Sequence, residues 1–270
     1  MRHAEAGYQH QIGKFTRNGE LSWRGKHSVT RNGNLYPTHP MGPIAWWMDI
    51  NRGDQLDYMV SMSSAAGFLS QQAAERFGAD SEWAKTDFAL GDVNVSLIKT
   101  VRGRTITLYH DTNLPRPYDL ILRVQGTKGI FQGYPDRIYI HKEEPRRMEI
   151  PERRDGAAGQ RPSSRRRRHY KEPEWESTDK YVKEYDHPLW KREGHNAVHY
   201  GHGGGDYMEL YQLIAALKCG REPDMDVYDA ACWSAISAVS EKSVAKGSEP
   251  IEFPDFTKGK WKTRPPLEIA

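Results

Sequence analysis

The sequence predicts an α+β fold built on a largely antiparallel sheet. Three observations carry that prediction. Strand-like segments with period-2 alternation come in runs, helical segments flank those runs without strict alternation, and the best-marked strand pair is joined by a short glycine turn. A first strand is expected over residues 3–10, and a helix over about 41–51, where Ile44, Trp46, Trp47 and Met48 open an amphipathic run. Residues 56–62 alternate apolar and polar side chains, the mark of a half-buried strand. A helix follows over 68–77. Residues 93–98 and 105–110 alternate in the same way across Val101, Arg102 and Gly103, which is a hairpin signal. Further strands are expected at 119–125, 128–132 and 137–141. Two helices complete the pattern at 206–219 and 227–246; Met208, Tyr211, Leu213, Ile214 and Leu217 give the first its apolar stripe.

The chain has 270 residues, enough for one or two domains. Residues 1–141 and 198–270 read as one domain, and 142–197 as a charged, Arg-rich insertion within it. That insertion holds the run Arg165 to Arg168 among Glu, Pro, Gly and Ser, with few aliphatic residues to bury. Its acidic residues interleave with the arginines and no aromatic platform accompanies them, so it reads as a solvated excursion and not as a nucleic-acid surface. A formal net charge of +3 agrees. Cys219 and Cys232 both fall in apolar helical patterns and are read as reduced core thiols. No apolar stretch approaches the ~18 residues of a membrane span, and no apolar signal core opens the chain, which as written reads as cytoplasmic.

Residues 24–43 carry the strongest chemical signal. Arg24, Tyr36 and His39 stand in a segment broken by Gly33, Pro37, Pro40 and Pro43, with the expected helix directly behind it. Rigid turns backed by a packed element are a common way of presenting polar side chains, although Thr38 or the His39-Pro40 junction could equally be a helix boundary on the surface. His195, His199 and His202 stand four and three residues apart, a spacing that metal ligands use. Asn196 occupies the place where a zinc protease needs its glutamate, and Gly201, Gly203, Gly204 and Gly205 would break the helix; no metal site is expected. His202 and Asp206 are read instead as the opening of the next helix, with Asp206 as its cap.

These residues resemble glycoside hydrolase family 109, the NAD-dependent α-N-acetylgalactosaminidases of the glucose-fructose oxidoreductase-like (Gfo/Idh/MocA) superfamily. The resemblance runs through Arg24 to His27, Arg31 to Pro43, Ile50 to Asp54, Tyr58 to Ser64, Gly91 to Thr100, Gly103 to Ile106, Pro115 to Tyr118, Gly126 to Gly129, His202 to Asp206, Asp224 to Ala231 and Pro250 to Phe256. It implies an open sheet with helices on one face, the other face often serving as an oligomer interface. It also implies that NAD+ oxidises the sugar at C3, that the C2 proton then becomes removable, and that the aglycone leaves by elimination before water adds. No carboxylate pair of the kind ordinary glycosidases use stands out. No G-x-G-x-x-G turn opens the chain, so it reads as the substrate-binding domain without the Rossmann half, and NAD would be held by a nucleotide-binding half, possible as a separate chain. Carried over by position, Tyr8, His10, Tyr36 and His39 are the catalytic candidates, and Arg24 and Tyr118 the substrate-binding ones. His39 is expected near its ordinary pKa, and Tyr8 or Tyr36 could act as a base only with Arg24 beside it. The partners implied are a carbohydrate substrate and a second copy meeting this one through the sheet. Two alternatives remain: a non-catalytic sugar-binding or scaffold module, and a sugar dehydrogenase, which the Tyr-Pro-Thr-His run at Tyr36 to His39 disfavours.

Overall fold

The computed structural model describes residues 1–141 and 173–267. The arginine run at 165–168 lies outside them. In chain order the strands are β1 (His3–Gln9), β2 (Leu56–Ser63), β3 (Asn94–Thr100), β4 (Thr105–Asp111), β5 (Arg123–Gly126), β6 (Gly129–Gln132), β7 (Arg137–Ile140), β8 (Glu176–Ser177) and β9 (Ile251–Glu252). The helices are α1 (Trp23–Thr30), α2 (Thr38–Trp47), α3 (Phe68–Phe77), α4 (Asp179–Tyr185), α5 (Pro188–Ala197), α6 (Gly205–Cys219) and α7 (Val227–Ala245). The strands form one open sheet in the order β8-β7-β6-β5-β1-β4-β3-β2-β9. Every pairing is antiparallel except β1 with β4, which run parallel with Tyr8 opposite His110.

Alternation decides which face is covered. Ala4 and Ala6 of β1, Met59 of β2, Ile98 of β3, and Ile106 and Leu108 of β4 point to one side, where α2 and α7 bury them under Met41, Ile44, Met48, Trp233 and Ile236. The opposite side exposes Tyr58, Met62, Val95 and Leu97. Asp226 caps α7 by accepting from Tyr228 and Asp229 N–H groups, and Asp229 reaches back to the Asp226 N–H. Asp229 also receives a forked pair of hydrogen bonds from Arg52 at 2.9 and 2.8 Å and a third from Asn51 at 3.1 Å. The Ile50-to-Asp54 and Asp224-to-Ala231 runs are therefore the joint that seats α7 on the sheet.

Several expected boundaries move. α2 spans Thr38–Trp47, not 41–51: Pro40 fits the first turn, and the chain turns out of the helix where Asp49 and Asn51 take positive φ. The strand expected over 119–125 shortens to β5 because Ile121 takes a φ of 54° and breaks the ladder; residue 119 still bridges Gln9. Helices α1, α4 and α5 were not expected. The last two lie in the segment read as an insertion, of which the described part docks through Leu189 and Ala197 onto Met208 of α6. Of the stripe on α6 only Met208 is buried, while Leu213, Ile214 and Leu217 face out. Cys232 is a core thiol, its pKa pushed up to about 12 by burial, whereas Cys219 is exposed at the end of α6. Asp206 does not cap α6; Gly204 occupies that position, and Asp206 sits in the first turn bonded to His202 Nδ1 at 2.7 Å.

Candidate active site

The site forms where the parallel pair β1 and β4 ends, beside the first turn of α2. Tyr8 lies on the covered side of β1, in register with Ala4 and Ala6, and is 8% exposed. Its ring stacks on that of Tyr36 with centroids 4.1 Å apart. His39 stands edge-on to Tyr8 and tilted to Tyr36, 5.0 Å from each. His10, two residues along the strand, shares a hydrogen bond of 3.1 Å with the Tyr8 hydroxyl. The irregular stretch before β5 brings Tyr118 to 5.2 Å from His10 and 6.2 Å from Tyr8, half exposed at the opening. Arg24, on α1, holds its guanidinium between the faces of Trp23 (4.2 Å) and Tyr36 (5.8 Å). All six residues singled out in the sequence thus meet at one place.

The turn that carries Tyr36 and His39 is fastened to α7. Arg31 makes a two-pronged pair with Glu241 at 2.6 and 2.8 Å. The Asn34 N–H donates to Ser240 Oγ at 2.8 Å, and Ser237 Oγ donates to the Asn34 carbonyl at 2.9 Å. Gly33 is needed there, since a Cβ would lie 2.6 Å from Ser240 Oγ. On the other side α1 begins with Ser22 accepting from the Gly25 N–H, and Gly25 lies so close to the Lys14 carbonyl that a Cβ would stand 2.4 Å from it. Pro43 donates nothing to the helix ladder, which leaves the His39 carbonyl without that bond.

The electrostatics correct one expectation. His39 is not at its ordinary pKa: desolvation lowers it first, and the nearby His202 and His10 lower it further. The imidazole is therefore neutral at pH 7, able to accept a proton. Tyr8 is raised, chiefly by burial and then by Tyr36, and Arg24 offsets only part of that. Burial, then Tyr134 and Tyr8, push Tyr118 up to about 12. Both are proton donors at neutral pH, not phenolate bases. His10 is lowered by burial, then by Arg24 and Lys14. Among the described residues no group of three His, Cys, Asp or Glu is placed to hold a metal.

Three further residues adjoin the site: His202, read from the sequence only as the opening of a helix, and Lys14 and His110, which the sequence reading did not mark. His202 lies near His39, close enough to lower its basicity. Lys14 and His110 are buried just behind Arg24. For His110 the signal existed, since period 2 places it on the same face as Ile106 and Leu108. Nothing in the sequence around Lys14 marks it.

The family model described as glycosyl hydrolase 109, C-terminal domain, matches residues 1–263. The chain belongs to this family. A glycosyl hydrolase family 109 protein of Solibacter usitatus is 45% identical over 270 residues, a match covering 99% of this chain and 56% of the relative. One from Shewanella baltica (strain OS155) is 42% identical over 273 residues, covering 99% and 54%. The chain thus spans about half the length of the curated relatives it matches. Its fold is shared with sugar and polyol oxidoreductases. A levoglucosan dehydrogenase solved with NADH and L-sorbose superposes with a TM-score of 0.59 at 16% identity, over 95% of this chain and 60% of that one. An inositol dehydrogenase homologue from Azotobacter vinelandii, solved with NADH and myo-inositol, gives 0.53 at 11%, over 93% and 57%.

Proposed function

We propose that this family 109 domain binds the sugar of an α-N-acetylgalactosaminide and supplies the proton-handling groups of an NAD-dependent glycosidase. The observation that carries the proposal is the His39 imidazole, its pKa lowered, packed against the stacked Tyr8 and Tyr36 rings at an open strand end. That donor set fits a hydroxyl undergoing oxidation, where a base beside the oxygen is required, and it contains no pair of carboxylates for a displacement. NAD, when bound by a nucleotide-binding half, supplies the hydride acceptor and donor at sugar C3.

The chain's own residues divide the remaining work. His39 takes and returns the O3 proton. The neutral His10 imidazole accepts the C2 proton and hands it to the departing aglycone oxygen, Tyr8 donates a hydrogen bond to the carbonyl oxygen that gains charge in that step, and Tyr36 orients the Tyr8 ring against it. Tyr118 closes the open side by hydrogen bonding or stacking on the sugar, and Arg24 positions its polar substituents. The exposed Tyr58, Met62, Val95 and Leu97 support a homo-oligomer formed through the bare side of the sheet. The test is to join a family 109 nucleotide-binding half to this chain, by fusion or co-expression, and assay aglycone release with and without NAD. NAD-dependent release is expected. Sugar binding with no release on any substrate would favour a non-catalytic module.

A further inference from the structure

A cavity of about 340 Å³ opens directly behind Arg24, walled by Lys14, Arg24, Tyr36, His110, Thr112 and Ser237. That volume is at the small end of ligand pockets, which hold roughly 300–1,000 Å³. Its charge is one-sided. Lys14, Arg24 and Arg31 line it, and no Asp or Glu does. Glu241 neutralises Arg31, but among the described residues no carboxylate pairs with Lys14 or Arg24. Lys14 is only 4% exposed, and its ammonium donates to Thr112 Oγ1 at 2.9 Å, which leaves two of its three N–H bonds for something else. Two further buried polar atoms on the wall lack a partner: Arg24 Nε and Nδ1 of His110, a residue 3% exposed.

An ammonium taken out of water beside a guanidinium, with neutral hydroxyls for company, is a costly arrangement. It pushes the Lys14 pKa down to about 8, mainly through burial and then through Arg24. His110, pushed to about 3 by burial and then by Lys14, stays neutral and can present an N–H or a lone pair. What the cavity lacks is negative charge with several lone pairs. A neutral acetamide carbonyl would take one donor and leave the ammonium uncompensated; an oxyanion satisfies Lys14 and Arg24 together. Arg24 and Tyr36 wall this cavity and also belong to the aromatic cluster, so the two spaces adjoin. We propose that the cavity is an oxyanion subsite, filled by a sulfate, phosphate or carboxylate group carried on the sugar held at the Tyr8–Tyr36–His39 cluster. The location of that group on a sugar rests on the glycosidase reading above; the subsite itself does not.

The test is calorimetric titration of the 270-residue chain with sodium sulfate at constant ionic strength, with fluorescence of the cavity-lining Trp23 as a second signal, and then with N-acetylgalactosamine and its 6-sulfate. Saturable one-to-one sulfate binding is expected, at least tenfold weaker in Lys14→Met, with the sulfated sugar bound more tightly than either sulfate or the neutral sugar. Should Lys14→Met fail to fold by circular dichroism, Arg24→Gln on the more open wall carries the same comparison. Absence of saturable sulfate binding, or binding that neither variant weakens, overturns the subsite. Neutral sugar bound without sulfate would do so while leaving the glycosidase reading intact. Sulfate bound tightly with no gain from the sugar would keep the subsite and overturn its link to the substrate.

Discussion

His39 stands on the first turn of α2 with two tyrosine rings against it, and that packing sets its chemistry. Because its pKa is lowered, the residue stays a free base below the ordinary histidine value of 6.5, and the acid limb of kcat/KM in a reconstituted enzyme should lie below that pH. Burial lowers the His39 pKa most, and two groups, His202 and then His10, lower it further. Removing the His202 side chain, as in His202→Ala, should move the limb upward in a pH-rate profile; an unmoved limb would mean that His39 is not the group observed. His39→Ala should lower turnover by roughly a hundredfold or more, the usual worth of a positioned proton-transfer group. Lys14 offers a stability counterpart. Its folded pKa of about 8 lies below the unfolded value near 10.5, so between those values the unfolded chain holds a proton that the folded one has shed. Stability attributable to Lys14 should therefore rise with pH across that window, and below pH 8 the burial penalty is present in full. Urea midpoints at pH 7 and 9.5 should show Lys14→Met more stable at the lower pH and with a smaller rise; an identical pH dependence in the two proteins would contradict this.

At the scale of elements, the site depends on how firmly the turn before α2 is held. Gly33→Ala would press a methyl group against Ser240 Oγ and the Glu241 backbone. A loss of ~1–3 kcal/mol, typical of overpacking, is expected in urea unfolding, with weakened sugar binding because Tyr36 and His39 ride on the same turn. Asp229→Asn should cost ~1.5–3 kcal/mol, the range for a hydrogen bond to a charged group, since it leaves the buried Arg52 guanidinium only the Asp226 carboxylate at 3.5 Å and the Asp224 carbonyl at 3.0 Å. What the sequence made legible follows from the same physics. Strands β2, β3 and β4 and helices α3 and α7 were readable because one face of each strand is buried and both helix ends carry caps or breakers, Asp226 for α7 and Gly78 for α3. Helix α1 was not readable: Trp23–Thr30 contains Gly25 and two β-branched residues, and it is held by Ser22 and by its close approach to the Lys14 backbone. Nor was α5, whose only buried side chains are Leu189 and Ala197, a contact visible only once α6 is in place. The six site residues were found through family resemblance. Lys14 went unmarked and His202 was read only as a helix opening, because their roles come from neighbours distant in sequence.

Over the whole molecule, one sheet carries two differently used sides. The side under α2 and α7 leads to the site at the end of β1 and β4, and the bare side offers Tyr58, Met62, Val95 and Leu97 to water. If that bare side joins copies, Leu97→Lys should shift the chain to a smaller species in light scattering and leave sugar binding unchanged, because Leu97 points away from the site. An unchanged mass would place the interface elsewhere. The central claim concerns what the covered side does once a nucleotide-binding half is present. Oxidation at C3 makes the C2 hydrogen removable, and a displacement between carboxylates never touches it. The decisive measurement is hydrolysis of an α-N-acetylgalactosaminide by the reconstituted protein in deuterium oxide, with the released sugar read by NMR. Deuterium at C2 is predicted, and its loss of rate should track His39→Ala. Complete hydrolysis with protium retained at C2 would contradict the account.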